Sequence, residues 1–236
     1  MFPMGYGFGF FDGTMILVII GMVLSMAASA YVKSTFSKYD QVKSRNQVTG
    51  TKAAQYILNS QNIHNVGVQQ IAGDLTDNYN SGTKMLSLSE ATAQSTSVAA
   101  IGVAAHECGH AVQDAKEYFP LRLRAAIVPV ANIGSSMAMP IILIGLFLQT
   151  QALIQLGLIA FSLALLFQIV TLPVEFNASS RALSILAEGG LLTEEELPQA
   201  RKVLIAAALT YVAAAISTAL QLLRLVLLFG GRNDDR

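Results

Sequence analysis

Hydrophobic and polar positions fall into long blocks along this chain, and the blocks predict elements before any single residue is weighed. Twenty uncharged residues lie between Asp12 and Lys33, about the number needed to cross roughly 30 Å of hydrocarbon, so residues 14–32 are read as a first transmembrane span. From Ala125 to Val174 fifty residues carry no charge. Only the polar triplet Gln149, Thr150 and Gln151 interrupts that block, which predicts two antiparallel spans joined by a tight turn. A further uncharged run from Val203 to Leu223 continues past Arg224 to Phe229 and makes a fourth span, with Arg224 close enough to its end to snorkel. A soluble protein with buried helices is the competing reading, and fifty successive uncharged residues argue against it. Ala28-Ser29-Ala30 resembles a signal-peptide cleavage site. No Lys or Arg precedes it, so a retained anchor is expected instead.

The polar blocks carry shorter patterns. Lys33 to about Thr49 is charged and reads as a helical extension or linker. Ala53, Ala54, Ile57 and Leu58 recur at helical spacing and predict a short helix over Thr51–Leu58. Residues 66–73 and 84–89 alternate as strands do, with the Asn/Asp/Ser/Gly segment 77–82 expected as a turn between them, giving a small hairpin or sheet. Helical composition returns from Ser97 to Ala115 and again over 176–188, where Gly189-Gly190 reads as a stop. Thr193 and Glu196 have capping-box spacing, and Glu194, Glu195 and Glu196 are expected to be solvated.

Composition agrees with a membrane protein and removes other classes. Charged residues make up 13% of the chain, against roughly 25% in a soluble domain. Fifteen basic and fifteen acidic residues cancel, so nothing points to nucleic acid. The single cysteine, Cys108, excludes an internal disulfide framework. Residues 33–124 hold nine Lys or Arg, and 175–202 add Arg181, Arg201 and Lys202. The opposite side has only Arg232 and Arg236, with Arg224 if it snorkels, so both polar segments are expected in the cytoplasm and both termini outside.

Within the 97–115 helix stand His106, Glu107, Cys108, Gly109 and His110. Residues four apart share a helix face, so both imidazoles can reach one cation while Glu107 addresses a water beside it. That is the HExxH zinc signature. With three histidines in the chain, a chance match is expected on the order of 10⁻³ times. The bland alternative, two surface histidines beside an ordinary glutamate, sits poorly with Gly102, Val103, Ala104 and Ala105 just ahead, which suggest a buried helix. Cys108 is expected to point away from the metal and pack. Gly109 is expected to let a neighbouring segment approach closely.

Catalytic zinc takes three protein ligands and keeps one position open, so a third is needed. His64 sits in an apparent turn. Glu175 is better placed, following Pro173 at the end of the third span, where an ionisable residue is costly unless paired or metal-bound. A capping glutamate is the structural alternative.

Taken together, VAAHECGHAVQ, the preceding LTDNYNSGTKMLSLSEAT and the later LPVEFNASSRAL and LTEEEL resemble the YugP-like membrane zinc metallopeptidases of bacteria over nearly the whole chain. More distantly, HECGH and EFNAS are similar to the HtpX and CAAX-prenyl protease gluzincins, whose E-F-x-A-D segment supplies the third ligand. The resemblance implies zinc held by His106, His110 and Glu175, with Glu107 as the base that takes a proton from water. Ser179 stands where the distant relatives have an Asp that orients a ligating histidine, a role a serine fills only in part. Arg181 and Asn177 are candidate oxyanion donors. The resemblance also implies that Lys84, Met85, Leu86, Ser87, Leu88 and Ser89 form an edge strand that pairs with extended substrate.

The expected architecture is a mainly α integral membrane protein with four transmembrane helices and a small α+β zincin-like portion on one side. Its parts are a tail and first helix (1–32), a catalytic loop region (33–124), a transmembrane hairpin (125–174), a third-ligand segment (175–202) and a last helix with its tail (203–236). The expected function is a zinc-dependent endopeptidase of the bacterial inner membrane, acting on membrane or membrane-associated polypeptides from the cytoplasmic side. Because Glu175 directly follows the uncharged block, the metal is expected within a turn or two of the bilayer surface. The competing class is a non-enzymatic membrane scaffold or client-binding protein with a structural or degenerate zinc site, and a structural site would want a fourth ligand such as a second cysteine. A transporter is disfavoured by the near absence of charge within the spans.

Overall fold

The structure is a computed structural model that describes residues 12–230; most of the N-terminal tail, and Arg232 and Arg236, lie outside them. The described chain is mainly helical. In order it runs α1 (Met15–Asp40), α2 (Gly50–Ser60), β1 (Gly67–Ile71), β2 (Asn78–Asn80), β3 (Met85–Ser89), α3 (Glu90–Ala93), α4 (Val98–Ala115), α5 (Phe119–Phe147), α6 (Gln151–Glu188) and α7 (Leu197–Phe229). Four of these, α1, α5, α6 and α7, are long and apolar enough to cross a membrane, at 26, 29, 38 and 33 residues. Each exceeds the roughly 20 residues a bilayer core requires. The polar break at 149–151 is the turn between α5 and α6: Gln149 adopts φ 51°, and the Thr150 N–H donates back to the Gly145 carbonyl at 2.8 Å.

Two elements are longer than the spans they contain. The first helix continues to Asp40 through the polar stretch after the span. The third does not stop near Pro173: α6 passes through that proline and ends at Glu188. Pro173 removes one N–H from the helix ladder without breaking it. At the far end Gly190 takes φ 61°, and the Leu191 N–H returns to the Leu186 carbonyl at 3.2 Å, a left-handed close that suits glycine.

The chain divides into two compact units. Among the described residues, one gathers the apolar helix segments 12–27, 127–168 and 213–230. Its helices meet through small residues. A methyl at Gly21 would stand 3.1 Å from the Cα of Ser217, and one at Gly134 would stand 2.9 Å from the Ala160 carbonyl oxygen. The Ser217 hydroxyl donates to the Gly21 carbonyl at 2.7 Å and lies 2.9 Å from the Ser25 hydroxyl. Arg224, expected to snorkel, pairs with Asp12 at 3.9 Å. Large apolar side chains such as Ile133, Phe147 and Ile159 point outward, as lipid-facing residues should.

The other unit, residues 28–126 and 169–212, has an interior core. Ile57 and Leu58 of α2, Leu86 and Leu88 of β3, Ile101 and Val112 of α4, and Leu186 of α6 are buried together there. Helix α4 is its axis, buried on nearly every face. The Ser97 hydroxyl caps it, accepting from the Ala100 N–H at 3.0 Å.

The three-stranded sheet has the order β1-β3-β2, with β1 parallel and β2 antiparallel to β3. This corrects two expectations. Segment 77–82 is not all turn, because Asn78–Asn80 pairs with Met85–Ser87. Tyr79 is drawn into the sheet by its hydroxyl, which donates to Asp114 of α4 at 2.6 Å, while the Asn80 side chain accepts from the Gly82 and Thr83 N–H groups to close the hairpin. Consequently Met85–Ser89 is the central strand rather than an edge, flanked by β1 along its whole length and by β2 along Met85–Ser87. Lys84 precedes the strand at φ 54° and pairs with Asp114. Glu196 is likewise not solvated: it is buried, completes the capping box with Thr193 and accepts from the Arg45 N–H at 2.7 Å.

Candidate metal centre

The close approach of α4 and α6 builds the site. A side chain at Gly109 would run into the backbone of Ala178, so only glycine lets the two helices meet there. Residues i and i+4 share a face on each helix. His106 and His110 of α4 therefore confront Glu175 and Ser179 of α6. The His106 Nε2 lies 3.2 Å and the His110 Nε2 3.6 Å from the Glu175 Oε2. The two imidazoles stand nearly perpendicular, at 83°, with centroids 4.8 Å apart.

Each imidazole is fixed at its other nitrogen. His106 Nδ1 lies 3.1 Å from the Ser179 hydroxyl, and His110 Nδ1 lies 3.0 Å from the Gln113 side-chain oxygen. Gln113, itself fully buried, is held in turn by donating to the Val174 carbonyl at 2.8 Å and to Asn177 Oδ1 at 3.0 Å. Such anchors set the tautomer and direct Nε2 inward. The second Glu175 oxygen receives a hydrogen bond from Arg124 Nη1 of α5 at 2.7 Å. Tyr211 of α7 lines the same cavity as that carboxylate.

The donor set fits zinc. Two nitrogens and one oxygen lie within 4.8 Å of one another. Bonds of ~2.0–2.1 Å at tetrahedral angles place ligand atoms roughly 3.3 Å apart, so a small closure suffices. Among the described residues the group has three members, which leaves the open position that a catalytic rather than a structural site requires. The local field favours a cation. Burial works against protonating His110, yet its hydrogen bond to Glu175 and the nearby carboxylates raise its pKa nonetheless.

Glu107 is buried next to the group. Burial raises its pKa; the adjacent His106 and His110 pull the other way, and the charges of Glu175 and Asp77 add to the rise. It lines a cavity of about 240 Å³ together with His106, Glu175, Ser179, Asp77 and Tyr211. Asp77 reaches that wall because both its oxygens are tied down, to the Ser89 N–H at 2.8 Å and to the Ser89 and Thr92 hydroxyls.

The remaining candidates fall elsewhere. Asn177 accepts from Arg181 Nε at 2.7 Å, and Arg181 lies over the Tyr118 ring at 5.8 Å. Neither lines the cavity, and Asn177 instead supports Gln113. His64 is exposed and outside the group. Cys108 is fully buried with its sulfur toward the Ala54 carbonyl at 3.7 Å, and burial raises its thiol pKa. Arg124, Gln113 and Tyr211 were not singled out from the sequence. Gln113 had a signal, three residues after His110 on one helix face; Arg124 and Tyr211 reach the site only through folding.

The family described as "Putative neutral zinc metallopeptidase" matches residues 14–230. A Bacillus subtilis protein named "Putative membrane protease YugP" is 44% identical over 220 residues, which cover 93% of this chain and 98% of that protein. No solved structure matches.

Proposed function

The chain belongs to this family of neutral zinc metallopeptidases, and from that premise we propose that it is an endopeptidase whose metal is held by His106, His110 and Glu175. One observation carries the proposal: two imidazole Nε2 atoms and a carboxylate oxygen converge within 4.8 Å beside a buried glutamate. Zinc bound there supplies a Lewis acid that activates water and polarises a carbonyl.

The chain's own groups do the rest. Glu107, in the cavity wall, takes a proton from the attacking water at its carboxylate and returns it to the leaving amine. Its burial favours the protonated form between those two transfers. Ser179 and Gln113 keep both imidazoles aimed, and Arg124 holds the far oxygen of Glu175 so that Oε2 faces the histidines. The Tyr211 hydroxyl, in the same cavity, donates to the oxygen on which charge develops as the carbonyl is attacked. Arg181 and Asn177, engaged with each other, have no part in that step.

The substrates proposed are polypeptides in, or presented at, a bacterial inner membrane, cut on the cytoplasmic side. Support comes from the sequence: Glu175 directly follows fifty uncharged residues, and cations concentrate in the two polar segments. The test is metal analysis with a cleavage assay on purified protein in detergent. Glu107→Gln should keep zinc and lose about 10²–10⁴ in turnover. Glu175→Ala should lose zinc, and Tyr211→Phe should keep zinc and lose kcat with little change in KM. Full zinc content in Glu175→Ala would remove that ligand from the proposal.

A further inference from the structure

Beside the metal cavity lies a larger groove that neither the family nor the proposed chemistry explains. It has a volume of about 660 Å³ and runs between the C-terminal part of α6 and the N-terminal part of α7. On α6 its wall is the stripe Phe176, Ser180, Leu183 and Ser184; on α7 it is Leu197, Arg201, Leu204 and Ile205. The spacings are helical, so each helix turns one face to the groove. Serines on α6, and Ala208 at one end, are too small to fill the space between the helices. Phe176 and Ile205 remain half exposed along it.

Three residues, Ser179, Leu204 and Ala208, line both this groove and the metal cavity. The groove therefore shares a wall with the cavity where a peptide bond would be cut. From Phe176 to Ser184 the wall extends about 12 Å at ~1.5 Å per helical residue, which accommodates three or four extended residues at ~3.3–3.6 Å each. Its surface is mainly apolar, but exposed Ser180 and Ser184 hydroxyls are available to peptide backbone groups, and Glu194 and Arg201 stand on its wall with opposite charges. An acyl chain would use none of these polar groups.

We infer that this α6/α7 groove is the substrate-binding site for one side of the scissile bond, and that it selects polypeptides with aliphatic or aromatic residues within four positions of the cut. The inference rests on the proposed peptidase reading and deepens it. Selection is by burial of apolar side chains, with the serines serving the main chain independently of sequence.

The test uses the full-length zinc-loaded protein in detergent, a proteome-derived peptide library and mapping of every cut. Enrichment of Leu, Ile, Phe and Met on one side of the bond is expected. Ser180→Trp and Ser184→Trp, both at exposed positions, should keep zinc, flatten that enrichment and lower kcat/KM for the apolar peptides about tenfold. Cuts that depend on Glu107 but show no apolar enrichment would overturn the groove and leave the peptidase reading intact. Cuts that persist in Glu107→Gln would overturn the catalytic reading instead. In that second case a benzophenone side chain introduced at Ser184 in the Glu107→Gln protein decides the groove separately. Crosslinking to an added unfolded polypeptide supports it; crosslinking to lipid alone, or to nothing, overturns it.

Discussion

Gly109 lets α4 press against the backbone of Ala178 in the unit that holds the metal-ligating group; Gly21 and Gly134 allow a close but looser approach, against Ser217 and Ala160, in the unit built from apolar helix segments. The device is the same and its purpose differs. Around Gly109 the approach positions donor atoms: Glu175 and Ser179 reach His106 only because the helices lie that close. Polar groups there are tied into a chain from Asn177 through Gln113 to His110, and from Arg124 to Glu175. Around Gly21 and Gly134 nothing needs to be aimed. Lipid gives no hydrophobic drive to helix association, so close packing and a few hydroxyl contacts hold the helices together. One unit should therefore fail in function before it fails in fold, and the other the reverse.

The largest expected effect tests the first half of that contrast. In Gly109→Val the new side chain collides with the Ala178 backbone, and α6 must shift. A misplacement of about 1 Å costs on the order of 10²-fold in a catalytic constellation. Near-complete loss of zinc and of proteolysis is expected, read by metal analysis and the cleavage assay, while circular dichroism keeps its helical signal. Wild-type zinc content in this variant would break the comparison. Next comes Gln113→Leu, which removes the oxygen that anchors His110 Nδ1 and should weaken zinc binding about 10–100-fold in a chelator competition. Ser179→Ala acts in the same way on His106, whose imidazole is less buried, and should fall at the low end of that range.

How much of this could be read from the chain follows the same division. The four spans were legible because lipid demands long uncharged runs, and α5, α6 and α7 carry them with their turn at Gln149–Gln151. His106, Glu107 and His110 were legible as a local spacing, but Arg124 reaches Glu175, and Tyr211 reaches the cavity wall, from separate helices that no local spacing encodes. The strand order was misread for a related reason. Asn78–Asn80 has turn composition, and the bond from Tyr79 to Asp114, thirty-five residues away, helps hold it beside β3. With β2 in place, substrate pairing along Met85–Ser87 has no open backbone to use.

The other half of the contrast predicts smaller and differently placed effects. A methyl in Gly134→Ala would stand 2.9 Å from the Ala160 carbonyl oxygen and 3.2 Å from a Leu163 methyl. Overpacking of this kind costs about 1–3 kcal/mol. The variant should melt earlier in detergent, yet bind zinc as tightly as wild type and cleave at the same rate below its transition.

Ser217→Ala should have the smallest effect. The hydroxyl donates to the Gly21 carbonyl and touches Ser25, but that carbonyl also belongs to the helix ladder of α1, so its loss leaves no acceptor stranded. Hydrogen bonds between membrane helices average ~0.6 kcal/mol, because the separated helices find other partners. The methyl that remains preserves the contact with Gly21. A shift of about that size in unfolding free energy, with zinc content and turnover unchanged, is the expected result. A loss comparable to that from Gln113→Leu, in zinc affinity rather than stability, would mean that the apolar unit helps aim the ligands, and the division of labour argued from Gly109 and Gly21 would no longer hold.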